Sequence, residues 1–147
     1  MSCIEEFDLM KTKVLKYIMF KKRTEQEIRL KFKDESLELL DDVIEELKEN
    51  GYIDDENYLE RAVNEFINLN NMSIKEIAYK LMTKGIKKDI IDNYISDNKE
   101  ILLDYELNSA KNIFIKKQNQ MNEQEIINYL KKKGYKEETI KMARDEH

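Results

Sequence analysis

The chain has 147 residues, of which 41% are hydrophobic and 39% are charged, with a formal net charge of -5. Its longest uninterrupted apolar run is the four-residue stretch Tyr17 to Phe20, far below the roughly twenty residues that span a bilayer, which excludes a membrane helix. Proline is absent and only three glycines occur, whereas average usage would give roughly seven prolines. Because helix-favouring Lys, Glu, Leu and Ile dominate, we predict an all-α protein.

The first ten residues are predicted to form a short N-terminal segment. Ser2, Cys3 and Ile4 are followed by the acidic Glu5 and Glu6, which is unlike the basic start and apolar middle of a secretory signal. We therefore expect a cytoplasmic protein. Cys3 is the only cysteine, so one chain can form neither an internal disulfide nor a cysteine metal cluster. We interpret it as a bystander in a loose terminus.

Residues 11–53 are predicted to form a three-helix module. Its first helix spans 11–22, and its third helix spans about 37–50 and ends at Gly51. The turn before the third helix, at 33–36, contains no glycine. Apolar residues of the third helix recur on one helical face and are expected to point inward. They are Leu40, Val43, Ile44 and Leu47.

Residues 54–98 and 99–147 are predicted to form two further three-helix modules. The second module begins with a helix over 55–69 that Asp54 or Asp55 caps, and the third begins with a helix over roughly 99–117. Two adjacent rows of apolar side chains run along the helix over 55–69 and are interpreted as core. They are Tyr58, Ala62 and Phe66 in one row and Leu59, Val63 and Ile67 in the other.

A repeat of 49 residues relates the three modules. Thr24, Ser73 and Asn122 are each followed three positions later by a glutamate, which is the pattern of a capping box at a helix start. Gly85 and Gly134 each follow a lysine and precede an apolar residue, as does a left-handed glycine that ends a helix. Such small modules are expected to rely on their neighbours, so we predict tandem repeats in an elongated, curved array.

Charge is distributed unevenly along the chain. Residues 11–33 hold nine Lys or Arg against two acids, a balance of +7, and residues 34–60 hold twelve acids against one lysine, a balance of -11. This predicts opposed electrostatic faces, although solvated helix faces account for most such charges. The candidate partner-binding residues are Lys21, Lys22, Arg23, Arg29, Lys31, Asp54, Asp55, Tyr58, Lys80, Lys84, Lys87, Lys88, Lys131, Lys132 and Lys133.

No motif indicates an enzyme, a cofactor or a metal site. The only histidine is the last residue, His147, which excludes internal Ser-His, Cys-His and multi-histidine arrangements. Neither a GxxxxGK[ST] phosphate loop nor a GxGxxG turn is present. Acid pairs occur at 41–42 and 54–55, and we interpret them as solvent-facing or capping residues. We therefore predict no catalytic residue, no cofactor and no metal.

The run Gly51-Tyr52-Ile53-Asp54-Asp55-Glu56-Asn57-Tyr58, preceded by Glu27-Ile28, resembles the signature of the RecX regulatory family. The later Lys84-Gly85-Ile86 and Lys133-Gly134-Tyr135 segments resemble its repeat ends, and the resemblance covers nearly the whole chain from about Lys11. It implies a three-module helical protein that binds RecA filaments on single-stranded DNA, lodges along their helical groove and inhibits ATP hydrolysis and strand exchange. The implied setting is DNA repair, homologous recombination and the SOS response. We expect a monomer, since a modular chain demands no dimer.

Two other functions stay open. Compact three-helix units can present a helix to the major groove, so direct DNA binding is the main alternative. The acidic net charge disfavours it, because phosphate neutralisation normally dominates affinity for DNA, and leaves at most a weak direct contact. A helical adaptor for an unrelated protein is the third possibility. In the leading interpretation a repeating surface meets a repeating polymer, so that weak contacts combine by multivalency.

Overall fold

The computed structural model describes residues 2–146. Met1 and His147, the only histidine in the sequence, lie outside the described residues. Within that range the chain forms nine α-helices and no strand, which confirms the all-α class and the helical repeat. None of these helices is both long and apolar enough to cross a membrane. In chain order they are α1 Cys3–Phe20, α2 Glu25–Lys31, α3 Leu37–Glu49, α4 Asp55–Leu69, α5 Ile74–Thr83, α6 Lys88–Asp97, α7 Lys99–Lys117, α8 Glu123–Lys133 and α9 Glu137–Glu146.

The first helix begins earlier than the sequence predicts, at Cys3 rather than at residue 11. Ser2 caps it, with Oγ accepting a hydrogen bond from Glu5 N at 3.1 Å, and acidic residues in a first turn favour a helix N-terminus. Met10 is 3% exposed and Phe7 packs against the same core. The apolar spacing of the helix therefore extends into the segment that was expected to be a loose terminus, and Cys3 is an exposed helical residue.

Three capping boxes confirm the predicted repeat of helix starts. Thr24 Oγ1 accepts a hydrogen bond from Glu27 N at 3.1 Å, and Glu27 Oε1 accepts one from Thr24 N at 3.0 Å. Ser73 and Asn122 form the same reciprocal pair with the glutamate three positions later. The apolar side chains at the two repeated positions that follow are all buried. They are Ile28 and Phe32, Ile77 and Leu81, and Ile126 and Leu130.

Left-handed glycines end helices where the sequence predicts them, at φ +93° for Gly85 and +94° for Gly134. The turn between α2 and α3 works differently, because none of residues 32–36 has a positive φ. There Glu35 N donates to Phe32 O at 3.0 Å, and Ser36 Oγ accepts from Leu39 N at 3.3 Å to cap α3. The glycine-free sequence of this turn is thus sufficient to connect the two helices.

The described chain divides into two compact units. Unit 1 comprises residues 2–59 and 84–86, and unit 2 comprises residues 60–83 and 87–146. The predicted division into modules at 1–10, 11–53, 54–98 and 99–147 stays a prediction. The core of unit 1 consists of Met10, Val14, Ile28, Phe32, Leu40, Val43, Ile44, Leu47 and Ile53. A core cluster of unit 2 consists of Ala110, Ile113, Phe114, Ile126, Leu130, Tyr135, Ile140 and Ala143.

A buried carboxylate connects two helix starts inside unit 2. Glu106 is 1% exposed, with Oε2 accepting a hydrogen bond from Ile74 N at 2.9 Å and Oε1 accepting one from Lys136 N at 3.0 Å. Ile74 is the first residue of α5, and Lys136 immediately precedes α9. Unpaired backbone N–H groups at a helix N-terminus carry partial positive charge. They can therefore replace the hydrogen bonds to water that a buried carboxylate loses.

Candidate partner-binding cleft

Four of the predicted binding residues meet in a cleft of unit 1 with a volume of about 530 Å³. They are Lys22, Arg23, Asp54 and Tyr58, and the same cleft is also lined by Met19 and Tyr52. We call it the unit 1 cleft. Its lining combines two cations, one carboxylate, two tyrosines and a methionine, so it can contact both charged and apolar groups of a partner.

The end of α3 determines how one wall of the unit 1 cleft forms. Gly51 has φ +79°, with Gly51 N donating to Lys48 O at 3.0 Å and Tyr52 N donating to Leu47 O at 2.9 Å. These two bonds define a Schellman motif, which reverses the chain. After this reversal Tyr52 is 54% exposed at the cleft, whereas the next residue, Ile53, is 4% exposed in the core.

The adjacent acidic residues have different environments. Asp54 caps α4, as predicted, because its Oδ1 accepts a hydrogen bond from Asn57 N at 3.0 Å. Asp55 Oδ1 accepts from Glu25 N at the start of α2, also at 3.0 Å. Burial raises the pKa of Asp55, and the nearby Glu25 carboxylate raises it further. Asp54 therefore contributes to the unit 1 cleft, whereas Asp55 connects α4 to α2 inside unit 1.

Basic residues gather around the ring of Tyr17 beside the unit 1 cleft. The Arg23 guanidinium lies 4.2 Å from the centre of that ring, and Lys31 Nζ lies 5.8 Å from it. Cations over an aromatic face are attracted by its quadrupole. Within residues 2–146 the buried Nε of Arg23 has no hydrogen-bond partner. The aromatic contact thus positions the half-buried Arg23, while Lys22 is exposed at the cleft.

Arg29 is engaged within unit 1. Its Nη1 lies 2.5 Å from Asp41 Oδ1, and its Nε lies 3.0 Å from Glu25 Oε2. The hydrogen bond with Asp41 is the main reason that the pKa of Arg29 is raised, although burial opposes the shift. Lys48 also forms an ion pair with Glu25. This network joins α2 to α3, so a partner would have to compete with it for the Arg29 guanidinium.

The remaining predicted residues lie in other places. Lys80 and Lys133 both line a cavity of unit 2. The others are exposed, and two of them have backbone roles, since Lys84 O accepts a hydrogen bond and Lys87 is the N-cap of α6. The exposed residues outside the unit 1 cleft are Lys21, Lys31, Lys84, Lys87, Lys88, Lys131 and Lys132.

Sequence reasoning missed Met19 and Tyr52 as candidate binding residues. Met19 is 78% exposed, and the adjacent Phe20 is 87% exposed at the end of α1. No signal in the sequence marks Tyr52 as exposed, because Ile86 and Tyr135, which also directly follow left-handed glycines, are buried. No signal separates Met19 from Ile18 before it, since both belong to the same apolar run.

Comparison with known proteins relates the chain to regulatory proteins, although no family model matches it. It is 41% identical over 95 residues to "Regulatory protein RecX" of Finegoldia magna, a match that covers 63% of this chain and 44% of the relative. It is 30% identical over 134 residues to the protein of the same name from Staphylococcus carnosus, covering 88% and 50%. The chain therefore spans about half the length of these curated relatives.

Solved structures share the fold. RecX from Lactobacillus salivarius superposes with a TM-score of 0.80 at 20% identity, covering 97% of each chain. A structure named as the regulatory protein RecX gives a TM-score of 0.78 at 26% identity, covering 95% of this chain and 73% of that one. Likeness in sequence and likeness in fold thus lead to the same group of proteins.

Proposed function

We propose that this chain, which belongs to the RecX family of regulatory proteins, binds RecA filaments on single-stranded DNA and inhibits RecA's ATPase and recombinase activities. It acts in the cytoplasm, in DNA repair, homologous recombination and the SOS response. It acts by binding alone, with no cofactor and no chemistry of its own. The observation that carries this proposal is the sequence match to regulatory proteins along 88% of the chain.

The unit 1 cleft is the contact surface that we propose for RecA. The segment 51–58 that resembles the family signature supplies Tyr52, Asp54 and Tyr58 to it. Tyrosine and arginine are enriched among residues that dominate binding energy at protein interfaces, and Tyr52, Tyr58 and Arg23 are of these types. An apolar or acidic surface of the filament would complement the cleft, because Met19, Lys22 and Arg23 line one part of it.

The repeated helix starts support binding to a polymer. Thr24, Ser73 and Asn122 begin helices at the same interval along the chain, so related surfaces recur. A repeating ligand such as a filament can engage recurrent surfaces together, and the effective concentration after a first contact strengthens the others. Several weak contacts are then sufficient for useful affinity.

The test is ATP hydrolysis by the cognate RecA on single-stranded DNA, measured as the protein is added from far below to equal stoichiometry. We expect inhibition at ratios well below one chain per RecA subunit, because binding at filament ends or between subunits affects many neighbours. Folded protein that leaves ATP hydrolysis unchanged at every ratio would refute the proposal.

A salt titration of binding to bare DNA separates the proposal from direct DNA binding. The proposal expects binding without RecA to be weak and steeply dependent on salt, because neutralisation of phosphates supplies nearly all of such affinity. Tight DNA binding that accounts for ATPase inhibition by competition would replace the proposed mechanism. Recovery of a different partner and no RecA by affinity capture would favour the adaptor function.

A further inference from the structure

A second cavity, within unit 2, collects lysines from three helices. It has a volume of about 610 Å³, and its lining includes Lys80 of α5, Lys116 and Lys117 at the end of α7, and Lys133 at the end of α8. We call it the lysine cavity. These four residues are separated by up to 53 positions along the sequence, so only the packing of the helices brings them together.

The lysine cavity has a strong excess of positive charge. Its lining contains four lysines but only one carboxylate, that of Glu76, which gives a formal balance of +3. Lys133 Nζ lies 3.2 Å from Glu76 Oε2, and the Lys133 side chain is 23% exposed. Lys80, Lys116 and Lys117 form no ion pair with any carboxylate in residues 2–146. Three ammonium groups without a carboxylate partner therefore line one cavity, where an anion would balance their charge.

Aromatic rings position three of the ammonium groups. Lys117 Nζ lies 4.8 Å and Lys133 Nζ lies 5.5 Å from the ring centre of Tyr129, which also lines the lysine cavity. Lys80 Nζ lies 5.9 Å from the ring centre of Phe66. Cation–π contacts of this kind restrict lysine side chains that would otherwise be flexible, which lowers the entropy cost of binding a ligand.

We propose that the lysine cavity binds phosphate, supplied either by the backbone of a single-stranded nucleic acid or by a free nucleotide. Three unneutralised cations match a multiply charged phosphate group better than a single carboxylate, and lysine binds phosphate as a point charge. The volume lies within the range of roughly 300 to 1,000 Å³ that is typical of sites for small ligands. This inference concerns unit 2 alone and does not depend on the proposed binding of RecA.

The test uses the whole chain with two probes, tripolyphosphate by calorimetry and a fluorescent oligodeoxythymidylate by anisotropy, both at low salt. The variant is Lys116→Gln with Lys117→Gln. The matched control is Lys99→Gln with Lys141→Gln, which removes the same charge from exposed positions of α7 and α9. We expect affinity for at least one probe to fall about tenfold in the first variant and to change much less in the control, because local rather than net charge determines binding.

The two probes distinguish the sources of phosphate. Loss of tripolyphosphate binding supports a free nucleotide, and loss confined to the oligonucleotide supports a nucleic-acid backbone. Equal losses in both variants would overturn the site, as would tight binding of polyglutamate with neither phosphate probe bound. If the first variant unfolds, the resonances of Tyr129 and Lys133 in the wild-type chain give the answer: phosphate must shift them more than those of Lys22, and the reverse order overturns the proposal.

Discussion

Two positions at helix ends, 51 and 85, require glycine for different physical reasons. Gly51 has a positive φ, but a Cβ there would meet no atom within 4 Å. Gly85 also has a positive φ, and a Cβ there would overlap the side chain of Gln26 in unit 1. A left-handed residue with a side chain is strained at both positions, whereas steric overlap occurs only at the second.

Substitution of the two glycines should therefore separate strain from overlap. We expect Gly51→Ala to lower the free energy of unfolding by about 1 kcal/mol through backbone strain alone. Gly85→Ala should exceed that loss by roughly 1 to 3 kcal/mol, because Gln26 must shift to admit the new methyl group. Urea unfolding of both variants measures the difference, and equal losses would contradict the role assigned to Gln26.

The ion pairs of Glu25 make part of the stability depend on pH. Burial acts against ionisation, but hydrogen bonds from Lys48 and Arg29 hold the pKa of Glu25 below its ordinary value. The stabilisation from a lowered acid pKa is present above the pKa of the unfolded chain and is lost as pH falls through the folded pKa. The raised pKa of Asp55 gives its contribution to stability the opposite dependence on pH. A difference in unfolding free energy between two variants therefore isolates Glu25 better than the pH dependence of one protein does.

We expect Lys48→Met to lower the free energy of unfolding by about 1 kcal/mol at pH 7, since Lys48 is partly exposed and its ion pair is screened by solvent. This deficit should shrink as pH falls through the folded pKa of Glu25, because the carboxylate that Lys48 pairs with becomes neutral. Lys13→Met is the control, since Lys13 lies 3.5 Å from the exposed Glu35. A deficit that is the same at pH 7 and pH 3 would exclude the pair as its cause.

At the level of helices, two of the cap residues do more than begin a helix. Thr24 Oγ1 donates to Lys84 O, and Ser73 Oγ donates to Lys133 O, each at 2.6 Å and each across 60 positions. Each accepting carbonyl directly precedes a left-handed glycine. At Gly134 an added Cβ would lie 3.1 Å from Lys75 Cβ, which is tighter than an ordinary contact, so glycine leaves room for the first turn of α5. One hydroxyl thus joins the start of one helix to the end of another.

The cap residues should consequently differ in their contributions to stability. Ser73→Ala removes both the cap and the bond to Lys133 O, and we expect a loss of about 2 kcal/mol because a part-buried carbonyl is left unpaired. Asn122→Ala removes a cap whose side chain accepts from Glu125 N, and about 1 kcal/mol is expected. Thermal or urea unfolding compares them, and a larger loss for Asn122→Ala would contradict this account.

For the whole molecule, the proposed regulatory function depends on exposed residues that contribute little to the free energy of unfolding. Tyr52→Ser with Lys22→Gln changes two exposed residues of the unit 1 cleft. We expect the concentration for half-inhibition of RecA ATP hydrolysis to rise about tenfold, because an aromatic anchor and a cation leave the proposed interface, while the unfolding midpoint stays unchanged.

The matched control for this prediction is Tyr79→Ser with Lys99→Gln, which alters one exposed tyrosine and one exposed lysine of unit 2. It should inhibit RecA like the wild-type chain. If both double variants inhibit equally well, the unit 1 cleft is not the contact, although the family assignment is unaffected. If both lose inhibition equally, general surface charge rather than the cleft determines binding.

The sequence by itself determined the features that depend on near neighbours. Helix composition, the capping boxes at Thr24, Ser73 and Asn122, and the left-handed Gly85 and Gly134 were all predicted, because each arises from interactions within a few residues. The family signature at 51–58 is equally local. The start of α1 was misplaced although Ser2 is followed three positions later by Glu5, the spacing of the repeated capping boxes, because Ser2 lies outside the 49-residue repeat that identified the other helix starts.

Only the tertiary structure decided which distant residues meet. Glu106, in the middle of α7, accepts backbone hydrogen bonds from the starts of α5 and α9. Neither its position in the sequence nor its charge predicts this role. Lys22 and Arg23 share a cleft with Tyr52 because α1 packs on α3, and the lysine cavity forms because α5, α7 and α8 converge. Periodicity assigns a residue to a face of its own helix, but contacts between helices depend on how side chains of all of them fill a common core.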